Sequence, residues 1–319
     1  MTRVRLAPLC GVTDAVFREL CAEQGCQQGT TEMISAMGYL CAPNQRAVQE
    51  LMVRGEKEIW LAVQLFGRDP ETVAEAAKRM EALNRFDTID LNMGCPARKV
   101  ACSGEGSGLM RTPDIAEDMM RRTVRAVQLP VSVKMRLGWD DAHKNALDLA
   151  RRAEDAGIAE IVVHGRTREQ QYSGEADWDA IGEIAAAVSI PVWGNGDLFT
   201  PEEARIRARD YPVAGVMIGR GILGNPWFFR DVQMLDNGET PAAVTLDERF
   251  RMIRKHYERM LATRPEHIAV REMRKHIGWY LRGIRGAGKT RAEINRAETP
   301  EQVRDILIRL RQENPEPEN

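Results

Sequence analysis

The chain has 319 residues, 43% of them hydrophobic and 29% charged, enough to bury a full core and a second, smaller one. It contains no apolar run long enough to cross a bilayer, and its first apolar run is soon interrupted by Asp14 and Arg18, which argues against a signal peptide and predicts a soluble protein of the cytoplasm. Six cysteines, at 10, 21, 26, 41, 95 and 102, are too few in a chain this long for a disulfide framework and form no CxxC pair that would suggest zinc or an iron–sulfur cluster, so reduced thiols are expected.

Short β-like runs recur at residues 4–9, 29–34, 59–66, 88–94, 131–138, 160–166, 191–197 and 215–221. Helical patterns lie between them at 14–24, 70–83, 113–127, 142–156, 177–188 and 201–209, several opening with Pro or an acidic residue as helix starts do. Eight strand–helix units, with no GxGxxG turn leading from a strand into a helix, predict an α/β fold of the (β/α)8 TIM-barrel type rather than a doubly wound sheet. The glycine-rich residues 104–108, GEGSG, read as a mobile loop, and residues 231–245, with Asn237, Gly238 and Pro241, as a linker.

Beyond the linker, residues 246–261, 268–281 and 300–310 read as helices and the last eight residues as a frayed tail, giving a barrel domain over 1–240 and a small all-helical domain over 241–319. The net charge of −2 conceals an uneven distribution: residues 249–291 hold thirteen Lys or Arg against three Glu. That surplus implies an anionic partner for the helical domain. Within it, GIRGAGKT at 283–290 matches the GxxxxGK[ST] phosphate-loop pattern, but a helical run precedes it where a strand is needed, so a turn between basic helices is expected.

Barrels of this class do their chemistry at the C-terminal ends of the strands. Here those ends carry Gln64, Asn92, Lys134 with Arg136, His164, Asn195 with Asp197, and Gly219 with Arg220. Singly, each could be a satisfied core amide, a core histidine or half of an ion pair. Six successive polar strand ends are harder to bury without a ligand. Glycines and an arginine after the last two strands suit a phosphate, and Lys134 suits a ring that turns anionic on reduction, a combination that fits flavin mononucleotide. Cys95, in the GCP turn after the fourth strand, is the candidate reactive acid.

Through APLCGVTDAVFR, TEMISA, VQLFG, DLNMGCPARKV, VSVKMRLGW, VVHGRTREQ, GNGD, MIGRG, GNPW and EMRKHIGWYL, the chain resembles the flavin-dependent tRNA-dihydrouridine synthases from residue 6 to about residue 299. The resemblance implies an FMN barrel with a helical tRNA-binding domain, reducing a uridine of tRNA with electrons from NADPH. It implies FMN contacts from Pro8, Leu9, Cys10, Gln64, Lys134, His164, Asn195, Gly196, Asp197, Gly219 and Arg220, and a proton donated by Cys95. Asn92 and Arg166 would lie near the base or the flavin. The chain departs from the family pattern at Leu9 and Cys10, and at the loop CSGEGSGLM, which brings in Cys102 and Glu105.

Adding hydrogen across C5–C6 of uracil needs a hydride on one carbon and a proton on the other. A thiol of ordinary pKa is about 97% protonated at pH 7 and so is already loaded as an acid, whereas Arg98 and Lys99 would favour thiolate if they faced the sulfur. The uridine must be flipped from its stack to reach a buried thiol. Arg271, Arg274, Lys275, Arg282 and Arg285 are the candidate phosphate contacts that dock the RNA. A monomer is expected. Two other readings stay open: a flavin barrel acting on a free pyrimidine, and a non-catalytic flavin-containing RNA-binding protein.

Overall fold

Alternation within the strands decides the architecture. The computed structural model describes residues 1–315. β1 (Val4–Leu6) leads into α1 (Ala15–Glu23), and β2 (Gln28–Thr30) and β3 (Ile34–Ser35) into α2 (Ala36–Cys41) and α3 (Arg46–Leu51). β4 (Trp60–Phe66) leads into α4 (Pro70–Glu81), and β5 (Thr88–Met93) into α5 (Arg98–Ala101), a 3-10 turn (Gly106–Arg111) and α6 (Pro113–Ala126). β6 (Val131–Arg136) is followed by α7 (Ala146–Asp155), β7 (Glu160–His164) by α8 (Trp178–Ala187), β8 (Val192–Asn195) by α9 (Pro201–Asp210), and β9 (Gly215–Ile218) by α10 (Phe228–Asp236).

All ladder pairs are parallel, in the order β1-β9-β8-β7-β6-β5-β4-β2, with β3 also pairing with β4. The Arg5 guanidinium donates to Gln28 Oε1 across the seam between β1 and β2, so the eight-unit sheet is a nearly closed TIM barrel. Residues two apart along each strand face the barrel axis, and their neighbours face the helices. Ile89, Leu91, Val133, Met135, Ile161 and Val163 thus pack outward into the main core. Helix starts follow their sequence signals: Asp14, Asp69, Asp177 and Thr200 accept first-turn amides of α1, α4, α8 and α9.

The floor of the barrel is sealed. Buried Arg5 pairs with Glu160 and lies 3.6 Å from the centre of the Trp193 ring and 4.8 Å from that of Trp60, while Trp193 Nε1 donates to Glu160 at 3.1 Å. Above this plug Ala7, Val162, Trp193 and Met217 form a small interior cluster. Most polar inward residues therefore gather at the C-terminal mouth, with Glu160 partly exposed at the opposite end.

α11 (Leu246–Thr263), α12 (Glu266–Tyr280), α13 (Ala287–Arg296) and α14 (Pro300–Gln312) form a second apolar cluster that also takes in Val16 and Leu20 of α1 and Trp227. Lys255 and Arg259 bind Glu23, and Arg264 binds Asp14, tying these helices to α1. Gly224 has φ +75°, and a Cβ there would come within 2.5 Å of the Trp279 carbonyl carbon, so glycine lets the two backbones meet.

Several expectations need correcting. The run at 29–34 is two short strands, because the Thr31 hydroxyl accepts the Gln64 amide at 3.0 Å while the Glu32 carboxylate accepts that of Gly11 at 2.9 Å. The helix expected from 142 starts at Ala146, after a turn closed by a Gly138–Lys144 bridge. Of the residues 104–108 read as a mobile loop, 106–108 belong to a buried 3-10 turn. The linker read from 231 is helix α10 as far as Asp236. Helices α2, α3, α5 and α13 had no counterpart among the expected helices. The phosphate-loop pattern at 283–290 runs from the turn after α12 into the first turn of α13, with a helix and not a strand before it. All six cysteines are free, and no helix among the described residues is long and apolar enough to cross a membrane. Half of the tail expected at 312–319, residues 316–319, lies outside the described residues, and Gln312 still belongs to α14.

Candidate active site

The mouth of the barrel opens into a cavity of about 570 Å3. Pro8, Leu9, Cys10, Gln64, Asn92, Cys95, Lys134, His164, Asn195, Gly196, Asp197, Gly219 and Arg220 all line it. The chain thus brings thirteen of the expected residues to one space of the size that small-molecule sites occupy. The parallel register explains this: Asn92 stands opposite Lys134, Arg136 opposite His164, and His164 opposite Asn195.

Cys95 follows β5 in a turn held at both backbone ends. Its N–H donates to Asn92 Oδ1 at 2.9 Å, and its carbonyl accepts the Ser107 hydroxyl at 2.8 Å. Gly106, at φ +55°, sits so close that a Cβ would lie 2.9 Å from Cys95 Cβ. Burial pushes the Cys95 thiol up, against the opposing pull of the Ala97 amide, Arg136 and Lys134. The proton therefore stays on sulfur at neutral pH. Arg98 and Lys99 are exposed, and the cations that act on the thiol are Arg136 and Lys134.

Lys134 Nζ donates to Asn195 Oδ1 at 3.2 Å, and burial, reinforced by Arg136, pulls its pKa down to about 8. Arg136 donates to the carbonyls of Gly94, Thr167 and Gln171, each at 2.9 Å, and burial brings it down to about 10, still cationic at pH 7. His164 is pushed well below its usual value by burial and by Arg136, Lys134, Arg166 and Arg220, so its imidazole is neutral. Lys134 and Arg136 thus give the cavity a cationic wall.

Across the mouth, Asp197 accepts two bonds from Arg166, at 2.9 and 2.6 Å, and one from Arg220 at 2.9 Å. Arg166 is 1% exposed, bonds the carbonyls of Ser173 and Gly174, and does not line the cavity. It is a buried partner of Asp197. Gly196 has φ +130°, and a Cβ would fall 2.6 Å from Ala176 Cβ, so the backbone here is open to a ligand only as glycine.

The basic candidates of the helical region divide. Arg271, Arg282 and Arg285 are exposed. Arg274 is half-buried and donates to the Ala297 carbonyl at 2.7 Å, which holds the end of α13. Lys275 faces the β1–α1 loop, its Nζ 3.5 Å from where a Gly11 Cβ would stand.

Arg136, read from the sequence as a polar strand end, lines the cavity too, whereas sequence reasoning missed Met33, Tyr172, Phe199 and Trp279. Arg220 lies 4.7 Å from the centre of the Tyr172 ring and 5.3 Å from that of Phe199, and Trp279 is the one contribution of α12 to the cavity. It also missed Asp90, 3% exposed behind Gln64, although the alternating Asp-Leu-Asn of β5 puts Asp90 and Asn92 on the same inward face.

A family model described as dihydrouridine synthase matches residues 5–314. The tRNA-dihydrouridine synthase B of Vibrio cholerae is 40% identical over 306 residues, spanning 95% of this chain and 93% of that protein. The protein of the same name from Pseudomonas putida is 42% identical over 295 residues, 92% of this chain and 86% of the relative. Among solved structures, histamine dehydrogenase from Rhizobium sp. 4-9 aligns with a TM-score of 0.56 over 74% of this chain and 46% of that one at 13% identity, a likeness of fold.

Proposed function

Since the chain belongs to the dihydrouridine synthase family, we propose that it is a tRNA-dihydrouridine synthase in which FMN binds at the barrel mouth, NADPH is the electron donor and Cys95 is the proton donor. The observation that carries the reading is a half-buried thiol kept protonated at the edge of a cationic cavity. An acid for carbon protonation needs its proton in place at working pH, and Cys95 has it.

The residues present fit FMN. Lys134 supplies positive charge, and neutral His164 can donate or accept a hydrogen bond. Backbone at Gly196 and Gly219 together with the Arg220 guanidinium would hold the phosphate. The Asp197 carboxylate is tied up by Arg166 and Arg220, which keeps its charge from opposing that phosphate. When bound and reduced, FMN supplies the hydride for uracil C6. The protein's part is to hold the base beside Cys95, exclude water and deliver the thiol proton to C5.

We divide the chain into a catalytic barrel over 1–240 and a tRNA-binding helical domain over 241–319. Arg271, Arg282 and Arg285 form the exposed part of the basic surface for RNA phosphates, and the enzyme acts on tRNA in the cytoplasm. The test is incubation of purified protein with FMN, NADPH and tRNA from cells lacking this protein, with mass mapping of uridines that gain two hydrogens. Cys95→Ala is expected to bind flavin and accept electrons from NADPH at near wild-type rates while uridine reduction falls by about 100-fold or more. Equal activity on free uridine, or loss of flavin as the main defect of Cys95→Ala, would overturn the reading.

A further inference from the structure

We propose that Asp90, which does not line the cavity, is a positioning residue whose carboxylate sets the direction of an amide relay, Gln64 then Asn92, that fixes the backbone carrying Cys95. The proposal rests on the reading of Cys95 as the proton donor.

Burial pushes the Asp90 carboxyl above its ordinary value, against the hydrogen bonds from Ser132 and Gln64 and the charge of Lys134, and in its ionised form it only accepts hydrogen bonds. Asp90 Oδ1 accepts from the Ser132 hydroxyl at 2.6 Å, and Oδ2 accepts from Gln64 Nε2 at 2.7 Å. Gln64 must therefore turn its Oε1 the other way, where it accepts from Asn92 Nδ2 at 2.8 Å. Asn92 in turn presents Oδ1 forward, and that single oxygen accepts the N–H groups of Gly94 at 3.1 Å and Cys95 at 2.9 Å. Reversing Gln64 would set its Oε1 against the Asp90 carboxylate and its NH2 against Asn92 Nδ2, and reversing Asn92 would set an NH2 against the two backbone donors and leave the turn without an acceptor.

The strand register builds the relay. Gln64 stands opposite Asp90, Asp90 opposite Ser132, and Asn92 lies two residues further on the same face. Because Ser107 already holds the Cys95 carbonyl, the relay governs the other half of the turn. Asp90 thus decides, two amides away, where the thiol stands.

The substitutions Asp90→Leu and Asp90→Asn separate this role from mere packing. Leucine removes the acceptor. Asparagine keeps it, since its carbonyl can accept from Gln64 while its NH2 donates to the Ser132 hydroxyl, which can reverse roles. The readout is peptide-resolved alkylation of flavin-loaded protein by iodoacetamide, with exposed Cys102 as internal reference. Asp90→Leu is expected to raise the Cys95 rate about fivefold or more, the scale of one net hydrogen bond, with Cys102 unchanged and Asp90→Asn close to wild type.

In rapid kinetics, Asp90→Leu is expected to keep flavin reduction by NADPH within about twofold and slow tRNA-dependent reoxidation about tenfold. If Asp90→Leu does not fold, Gln64→Met breaks the relay at its middle link and is expected to raise Cys95 alkylation in the same way. An unchanged Cys95 rate in a folded relay variant, or an Asp90→Asn protein that behaves like Asp90→Leu, would overturn the proposal. A wild-type protein whose reduced flavin tRNA does not reoxidise would instead defeat the functional reading and leave the alkylation result standing.

Discussion

His256 on α11 and His276 on α12 meet at 4.6 Å between ring centres where the helical region packs on α1, with Phe17 5.5 and 5.3 Å away. His256 Nδ1 has Tyr280 Oη as a partner at 3.3 Å, but His256 Nε2 and both ring nitrogens of His276 are buried with none. Burial pulls His256 down to about 4 and His276 well below its usual value, with Lys275, Arg259 and Arg264 opposing a further positive charge and Asp14 favouring it. An imidazole with a lower pKa folded than unfolded binds more protons when unfolded. Its stabilising contribution is full above the unfolded value near 6.5 and is lost as pH falls toward 4.

With these two values, lowering the pH from 7 to 5 removes about 2 kcal/mol through His256 alone. For a chain of 319 residues melting as one unit, that is a fall in Tm of roughly 3 °C. The assay is thermal or urea unfolding of wild type and His256→Leu at both pH values, reading the difference in pH dependence and not the absolute stability. His256→Leu is expected to lose about 2 kcal/mol less than wild type over this interval. Parallel pH curves for the two proteins would refute the reasoning.

Gly196→Ala forces a side chain into φ +130° and against Ala176, so a loss of about 1–3 kcal/mol and a sharp drop in flavin content are expected from unfolding curves and absorbance. Replacing Arg271, Arg282 and Arg285 together by Ala is expected to weaken tRNA binding and reduce the slope of log K against log salt by roughly two to three, measured by filter binding; an unchanged slope would remove these residues from the interface. Lys134, with a pKa of about 8, is half-protonated at pH 8, and an anionic ligand beside it raises that pKa. FMN binding at pH 8 is therefore expected to take up about half a proton, seen by calorimetry in buffers of different ionisation heat and lost in Lys134→Met.

The barrel and most of its mouth were legible because both arise from local pattern. Strand ends such as VKMR and VVHGR show their inward polar residues two apart, and helix starts at Pro70, Pro201 and Pro300 follow their capping residues. The glycine-rich segment after Cys95 misled for a physical reason. Gly106 and Gly108 are small because Cys95 Cβ and the Ala101 carbonyl lie 2.9 and 2.5 Å from where their Cβ atoms would be, not because the chain must move. Such contacts are set by tertiary packing, which composition does not encode. The same holds for Arg166, whose charge points to a ligand in sequence but is paired with Asp197, while Arg274 donates to the Ala297 carbonyl and keeps a buried Nε with no partner.

The electrostatics of the site tie these features into one design. Lys134 and Arg136 oppose each other's charge, add to the burial that keeps His164 neutral and pull on the Cys95 proton. Left alone, that field favours thiolate, and burial of the sulfur is what outweighs it. A turn that exposed Cys95 further would weaken the burial effect while bringing the cations' pull to the fore, moving the thiol toward a nucleophile and away from an acid. The depth at which the turn is held thus selects the chemistry, so the Asn92 cap on one side and Gly106 with Ser107 on the other matter as much as the thiol itself.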